Sequence, residues 1–224
     1  MAMATVLKME LWDRSDGSAR CMITSVPMDP KKVLNPRDYA LKFRRHLAQL
    51  RAYDRFMIII DSKGGAKASA IGLLEAMRRE IGTKKQPAAI LIDGVCGSAA
   101  TYLAAGLKKV PVYITPGSRY YIHLPRTSIF SRRGGGVWNV IYKAGDKATT
   151  RDLIKMYHQK SSVPAGGIWK VLGIRKKVHV PKRTIRKWLE AGSSFTAGEA
   201  VKYGFADGIM TRYEFEKGGA WSKC

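Results

Sequence analysis

The sequence F-M-I-I-I-D-S-K-G-G, residues 56–65, decides the class of fold. Its continuous apolar run is typical of a strand buried on both faces of a parallel sheet, since helices cover both faces of such sheets. A similar run, A-A-I-L-I-D at residues 88–93, precedes the glycine-rich stretch G-V-C-G-S-A-A-T-Y-L-A-A-G at 94–106. We therefore expect two buried parallel strands, each followed by a glycine-containing loop and a helix.

Helices and strands alternate along the rest of the chain. A hairpin-like opening, with strands at 7–12 and 19–26, precedes a helix with Asn35 as N-cap and Pro36 at its first position. Later segments predict helices at 69–81 and 149–159, strands at 110–114 and 120–123, and a loop at S-R-R-G-G-G, residues 131–136. This alternation favours an α/β fold with a mainly parallel sheet, and 224 residues fit one domain spanning 1–224.

Basic residues outnumber acidic ones by 40 to 17, which gives a formal net charge of +23. Such a surplus attracts polyanions, whether nucleic acid, an anionic membrane surface or acidic proteins. The basic clusters are nevertheless spread along the chain, no nucleic-acid-binding module is evident, and aromatic residues are not interleaved with the clusters. This favours a solvated basic surface that contacts nucleic acid only non-specifically.

The three cysteines, Cys21, Cys96 and Cys224, lack the spacing of a disulfide framework or a zinc site, so no metal site is expected. Their thiols suit a reducing compartment, such as the cytoplasm. The first residues lack the basic and apolar regions of a secretory signal. The apolar stretch 88–106 contains Asp93 and several small residues, so no membrane span is expected either.

In a parallel α/β sheet, the loops at the carboxyl ends of the strands form the natural binding site. Ser98 lies between Gly97 and two alanines where a strand is expected to turn into a helix, so its hydroxyl is exposed beside a helix N-terminus that favours negative charge. Gly64 and Gly65 follow the neighbouring strand and offer backbone N–H groups to an oxyanion. Each loop alone also fits a plainer interpretation, with Ser98 as a helix N-cap and the glycine pair as a turn.

A histidine at the end of a third strand strengthens the catalytic interpretation. His123 follows Y-Y-I at residues 120–122 and precedes Leu124 and Pro125. A serine hydroxyl needs a base to become nucleophilic near neutral pH, and imidazole is the usual one. The other three histidines lie in basic or polar segments, so His123 is the candidate general base for Ser98.

Four segments, in this order, resemble the ClpP family of serine peptidases over about residues 43–209: F-M-I-I-I-D-S-K-G-G, G-V-C-G-S-A-A-T-Y-L-A-A-G, P-G-S-R-Y-Y-I-H-L-P and F-T-A-G-E-A-V-K-Y-G-F-A-D-G-I. The resemblance implies Ser98 as nucleophile, His123 as general base, and the backbone N–H groups of Gly65 and Ala99 as the oxyanion hole. It also implies a crotonase-like stack of ββα units with a helical handle region, and homo-oligomeric rings assembled through the helix after His123. No metal or organic cofactor is implied.

Two features depart from the family pattern. Lys63 stands where the family usually has proline, which changes the charge and rigidity of the oxyanion loop and leaves both glycines in place. The family's catalytic aspartate would align near Leu189, so Glu190 is named as the acid of the triad, with Asp152 or another carboxylate as the alternative. A triad without its acid retains only part of its rate, because the imidazole loses its orienting partner.

The position of the nucleophile depends on the point from which the segment is aligned. Alignment from L-A-A-G, residues 103–106, puts Gly97 in the nucleophile position and describes an inactive homologue. Alignment from His123 selects Ser98, which we prefer because G-V-C-G-S-A-A also resembles the phage-type members of the family. Cys96 is a further candidate nucleophile, although a small buried apolar role suits it better.

The leading prediction is a ClpP-type serine endopeptidase, independent of ATP by itself, that cleaves protein or peptide substrates through a Ser98 acyl-enzyme in an oligomeric assembly. Two other classes stay open: a catalytically inactive ClpP-like structural subunit, and a crotonase-type acyl-CoA enzyme in which His123 is incidental. The resemblance extends the expected partners to an AAA+ unfoldase or, for a phage-type member, to capsid or scaffold proteins.

Overall fold

The computed structural model describes residues 5–13, 18–27, 36–48, 55–82, 88–107, 110–124, 126–133, 137–144, 147–162 and 180–217. The predicted hairpin-like opening is present as β1 (Thr5–Asp13) and β2 (Ser18–Pro27), which pair in the antiparallel sense. β2 then lies parallel to β3 (Arg55–Ser62), so the opening pair forms one end of the main sheet.

Helices connect the following strands, as the alternating pattern predicts. The helices are α1 (Pro36–Leu47), α2 (Lys67–Gly82), α3 (Thr101–Gly106), α4 (Lys147–Ser162), α5 (Lys182–Ala191), α6 (Ala197–Lys202) and α7 (Arg212–Glu216). The expected N-cap of α1, Asn35, lies outside the described residues, as does Cys224. Within the described ranges, no helix combines the length and the apolar character needed to cross a membrane.

The remaining strands are β4 (Ala88–Gly97), β5 (Val112–Ile114), β6 (Arg119–Ile122), β7 (Arg126–Arg133), β8 (Val137–Ala144), β9 (Ser193–Thr196) and β10 (Gly208–Ile209). The main sheet has the order β1-β2-β3-β4-β5-β10, and every neighbouring pair from β2 to β10 is parallel. β6 lies beside β4 in parallel and beside β9 in the antiparallel sense. The expected α/β fold with a mainly parallel sheet is therefore confirmed.

β3 is buried on both faces, as its apolar run predicts. Ile58 and Ile60 belong to the large core under α2 and α3. Met57 and Ile59 belong to a smaller core on the other face, which Phe215 of α7 helps to close. All four β3 side chains are at most 1% exposed. Burial of one such side chain stabilises the fold by roughly 1.5–3 kcal/mol, so β3 fixes the position at which the following loop begins.

Two segments differ from the prediction. β4 continues to Gly97 instead of ending near Ile92, because its residues 90–92 pair with β5 and its residues 95–97 pair with β6. A register shift against β3, between Ile60 and Ser62, accommodates this change of neighbour. The loop expected at 131–136 is part of an antiparallel pair, β7 with β8, whose connecting residues 134–136 lie outside the described part.

Candidate active site

Three loops that the sequence singles out begin at the same edge of the sheet. The β3–β4 ladder ends with Ser62 opposite Cys96, and the β4–β6 ladder ends with Gly97 opposite Tyr121. The chain therefore leaves β3, β4 and β6 at neighbouring points, as the carboxyl ends of parallel strands require. This register places the glycine pair after β3, Ser98 after β4 and His123 after β6 in one cluster of loops.

Ser98 occupies a strained turn between strand and helix. Its φ of 50° makes it the only non-glycine residue with positive φ in the described part of the chain. The left-handed conformation costs an L-residue roughly 1–2 kcal/mol, because Cβ approaches the carbonyl oxygen. Ser98 is half-buried and begins the 3₁₀ turn Ser98–Ala100 that leads into α3. A simple N-cap needs no such strain, so the backbone geometry favours a functional role for the Ser98 side chain.

The glycine loop packs directly against the Ser98 turn. A Cβ atom built on Gly64 would lie 2.6 Å from Gly97 O, 2.7 Å from Ser98 Cβ and 2.8 Å from Ala99 N. Gly64 also has a φ of +98°, which L side chains rarely adopt. Only glycine fits here, since any side chain would push the two loops apart. The contact brings the Gly64–Gly65 peptide beside the backbone of Ala99, and thus brings both predicted oxyanion donors close to Ser98.

Two serines that the sequence did not single out hold this glycine loop. Ser25 of β2 donates a hydrogen bond to Gly64 O at 2.6 Å. Ser62 accepts one from Gly64 N at 3.1 Å, and the two serine hydroxyls lie 2.6 Å apart. The signal that could have found Ser25 is the strand register: Ile23 lies opposite Ile60, so Ser25 comes opposite Ser62 two residues later.

A second pair of hydroxyls holds the Ser98 turn from the other side. Thr101 donates from its Oγ1 to Ser98 O at 2.5 Å, and the Tyr157 hydroxyl lies 2.5 Å from the same Oγ1. Because Thr101 has one hydroxyl proton, Tyr157 is the donor in the second bond. Burial raises the pKa of Tyr157, so its hydroxyl keeps that proton. Thr101 therefore links Tyr157 of α4 to the backbone carbonyl of the predicted nucleophile.

His123 follows β6 directly and is half-buried. Its Nδ1 lies 2.5 Å from Leu124 O, and its ring centroid lies 5.2 Å from that of Tyr121. A carbonyl oxygen only accepts, so Nδ1 carries a proton in this contact. The role of general base for Ser98 therefore falls to Nε2, the other ring nitrogen.

Neither predicted carboxylate is enclosed with this imidazole. The Leu124 N–H donates to Leu189 O at 2.8 Å, so the last turn of α5 approaches the residue after His123. Glu190 follows in that turn, yet its side chain is exposed, and so is that of Asp152 on α4. The hydrogen bond described for His123 Nδ1 goes to a backbone carbonyl instead.

The other predicted candidates have plainer positions. Cys96 is fully buried, and burial raises the pKa of its thiol well above the ordinary value, so it stays neutral as an apolar side chain. Lys63 is exposed at the start of the glycine loop. Gly97 packs close to that loop, since a Cβ on it would lie 3.2 Å from Lys63 O. Within the described residues, no group of histidine, cysteine and acidic side chains has the arrangement of a metal site.

Comparisons with known proteins identify the family of the chain and agree with its fold. A family model described as Clp protease matches residues 44–213, which is more than half of the chain. The 1510-N membrane-bound stomatin-specific protease, solved as a serine-to-alanine mutant, is 18% identical, with 82% of this chain and 78% of that chain covered and a TM-score of 0.51. The ClpP protease catalytic domain from Plasmodium falciparum is 20% identical, with 77% and 78% covered and a TM-score of 0.49. No curated protein sequence matches the chain.

Proposed function

Because the chain belongs to the Clp protease family, we propose that it is a serine endopeptidase that cleaves protein or peptide substrates through an acyl-enzyme on Ser98. His123 is the general base, and the N–H groups of Gly65 and Ala99 form the oxyanion hole. The observation that supports this most strongly is the strained φ of Ser98, together with the packing of its turn against Gly64, where there is no room for a side chain.

The proposed reaction has two halves, formation and hydrolysis of the acyl-enzyme, and each catalytic group acts in both. Ser98 Oγ attacks the substrate carbonyl carbon while His123 Nε2 takes the hydroxyl proton, and the carbonyl oxygen becomes an oxyanion beside the two N–H groups. His123 then gives the proton to the leaving amine, and the C–N bond breaks. Water, deprotonated by the same imidazole, hydrolyses the ester and releases Ser98.

The third member of the triad, in this proposal, is a carboxylate on the last turn of α5. We name Glu190, since its helical turn contacts the residue after His123. The Leu124 carbonyl, 2.5 Å from His123 Nδ1, also orients the imidazole. If Glu190 is the acid, Glu190→Gln lowers the reaction rate of Ser98 at least about 10-fold, whereas Asp152→Asn leaves the rate unchanged.

The direct experiment is intact-mass analysis after treatment with a fluorophosphonate, which phosphonylates activated serines. Wild-type protein and Ser98→Ala are treated side by side, after the oligomeric size of each has been measured by light scattering. We expect one label on the wild type and none on the variant. A label that persists in Ser98→Ala would place the reactive group elsewhere and contradict the proposal.

A catalytically inactive structural subunit is the second candidate. Its specific support is the exposure of Glu190 and Asp152, the two carboxylates named as candidates for the acid of the triad. Both proposals include ring assembly through α4, so a measurement of assembly alone does not distinguish them. An assembled wild-type protein that takes up no fluorophosphonate would favour the structural subunit.

A further inference from the structure

Ser25 lies at the glycine loop although it comes from β2, a strand that supplies no other group to the candidate site. We propose that Ser25 is a positioning residue, whose hydroxyl holds the Gly64–Gly65 peptide with its N–H directed at the oxyanion that forms on Ser98 attack. This inference rests on the proposed serine peptidase function and adds a residue that acts through the loop, without touching the substrate.

The hydroxyl protons in this cluster have one consistent arrangement. Ser25 uses its only proton to donate to Gly64 O at 2.6 Å. In the 2.6 Å contact between the two serines, Ser62 must therefore be the donor and Ser25 the acceptor. Ser62 Oγ in turn accepts from Gly64 N at 3.1 Å. Each hydroxyl donates once and accepts once, so the peptide groups on both sides of Gly64 are fixed.

The bond to Gly64 O also determines the direction of the Gly65 N–H, because both belong to the same peptide group. The described residues contain no cis peptide bond, and in a trans peptide the C=O and N–H point in opposite directions. Ser25 pulls the carbonyl toward β2, and the N–H of Gly65 then points away from β2. Rotation of this peptide by half a turn would present a carbonyl oxygen to the oxyanion, which is repulsive.

The Gly64–Gly65 peptide needs such an anchor because the two glycines do not by themselves fix its orientation. A peptide between two glycines rotates easily, since neither residue has a Cβ to restrict φ and ψ. Lys63 before them leaves its own φ free, whereas a proline would fix it. Ser62 is only 2% exposed and Ser25 is half-buried, so water competes weakly for these hydrogen bonds.

A matched pair of substitutions isolates the hydroxyl from the shape of the side chain. Ser25→Thr keeps the hydroxyl, and Ser25→Val has nearly the same shape without it; both are β-branched and suit a strand. The measured quantities are the rate constant kinact and the inhibition constant KI for fluorophosphonate labelling of Ser98, the pH dependence of kinact, and the thermal unfolding temperature. Should Ser25→Val fail to fold, Ser25→Ala replaces it in the same comparison.

We expect kinact of the valine variant to fall about 10-fold or more below that of the threonine variant, since loss of one oxyanion donor costs on the order of 10²–10³. KI should stay the same, and so should the apparent pKa of the kinact profile, because His123 is untouched. Equal kinact values for folded valine and threonine variants would overturn the inference and leave the proposed function intact. A wild type that takes up no label would overturn the proposed function, and the inference with it.

Discussion

Ser98 has a backbone conformation that glycine adopts without strain, and this makes its contributions to stability and to catalysis separable. Its φ of 50° costs alanine roughly 1–2 kcal/mol relative to glycine. We expect Ser98→Gly to be more stable than Ser98→Ala by about 1 kcal/mol, while neither variant is labelled by a fluorophosphonate. Urea unfolding of the two variants measures the difference. Equal stabilities would show that the turn relaxes when the serine is removed.

Gly64 provides the corresponding prediction for the glycine loop. Gly64→Ala places a methyl group within 2.6–2.8 Å of Gly97 O, Ser98 Cβ and Ala99 N, at a φ of +98°. We expect this variant to lose at least about 2 kcal/mol of unfolding free energy, and to lose labelling at Ser98 because the loops separate.

Gly198 offers a matched control for this substitution. A Cβ on it would have no neighbour within 4 Å, and it lies within α6. Gly198→Ala should therefore be neutral or stabilising by up to about 1 kcal/mol, with full labelling. If both alanine variants behaved alike, the close packing of the two loops would be contradicted.

Individual residues show how far the sequence predicts the site. The sequence predicts Ser98 and His123 at one edge of the sheet because each follows an apolar run, and the parallel register of β4 and β6 is consistent with that prediction. Ser25 could not be placed at the site from the sequence, because its position there depends on the pairing of β2 with β3, which the local sequence does not specify. The orientation of the Glu190 side chain could not be predicted either, because it depends on where α5 ends and not on a motif.

At the scale of elements, α6 begins with a capping box whose carboxylate titrates. Glu199 accepts hydrogen bonds from Thr196 N and Thr196 Oγ1, both at 2.8 Å. These bonds, the backbone one first, lower the pKa of Glu199 below its ordinary value of 4.5. A depressed folded-state pKa means that the stabilisation is present above the unfolded-state pKa and is lost as the pH falls through the folded-state pKa.

We therefore expect Glu199→Ala to be less stable than the wild type at neutral pH, with the difference shrinking to the remaining cap contribution in acid. Urea midpoints across the acid range measure this. Glu199→Gln keeps an acceptor oxygen but does not titrate, so its midpoint should follow a flatter acid limb than that of the wild type. Parallel acid limbs for all three proteins would exclude this role for Glu199.

The helices and strands were largely predictable where the apolar pattern that specifies them lies within a short stretch of sequence. β3 and α2 match their predicted segments closely, because burial on both faces and helical spacing are visible in a few residues. β4 was predicted too short, since the exchange of β5 for β6 as its neighbour is decided by distant strands. The β7–β8 pair was missed because a glycine-rich stretch predicts a loop and says nothing about what pairs across it.

At the scale of the whole molecule, the net charge of +23 opposes the compact state through repulsion between like charges. At 0.1 M salt, repulsion between exposed charges more than about 10 Å apart is largely screened. We expect the thermal unfolding temperature to rise by several degrees as NaCl is added from about 0.01 M to about 0.1 M, and differential scanning fluorimetry measures it. A temperature that stays constant or falls would mean that attractive ion pairs outweigh the repulsion.

The antiparallel partner of β6 has a consequence for the order of events during synthesis. The nucleophile turn and the glycine loop lie on segments that leave the ribosome early and pack against each other. β6, which precedes His123, has its second neighbour in β9, with Ser193 opposite Ile122, and β9 is translated much later. A nascent chain can therefore pair β6 with β4 first, and the segment that carries His123 gains its second neighbour only after most of the chain has been made.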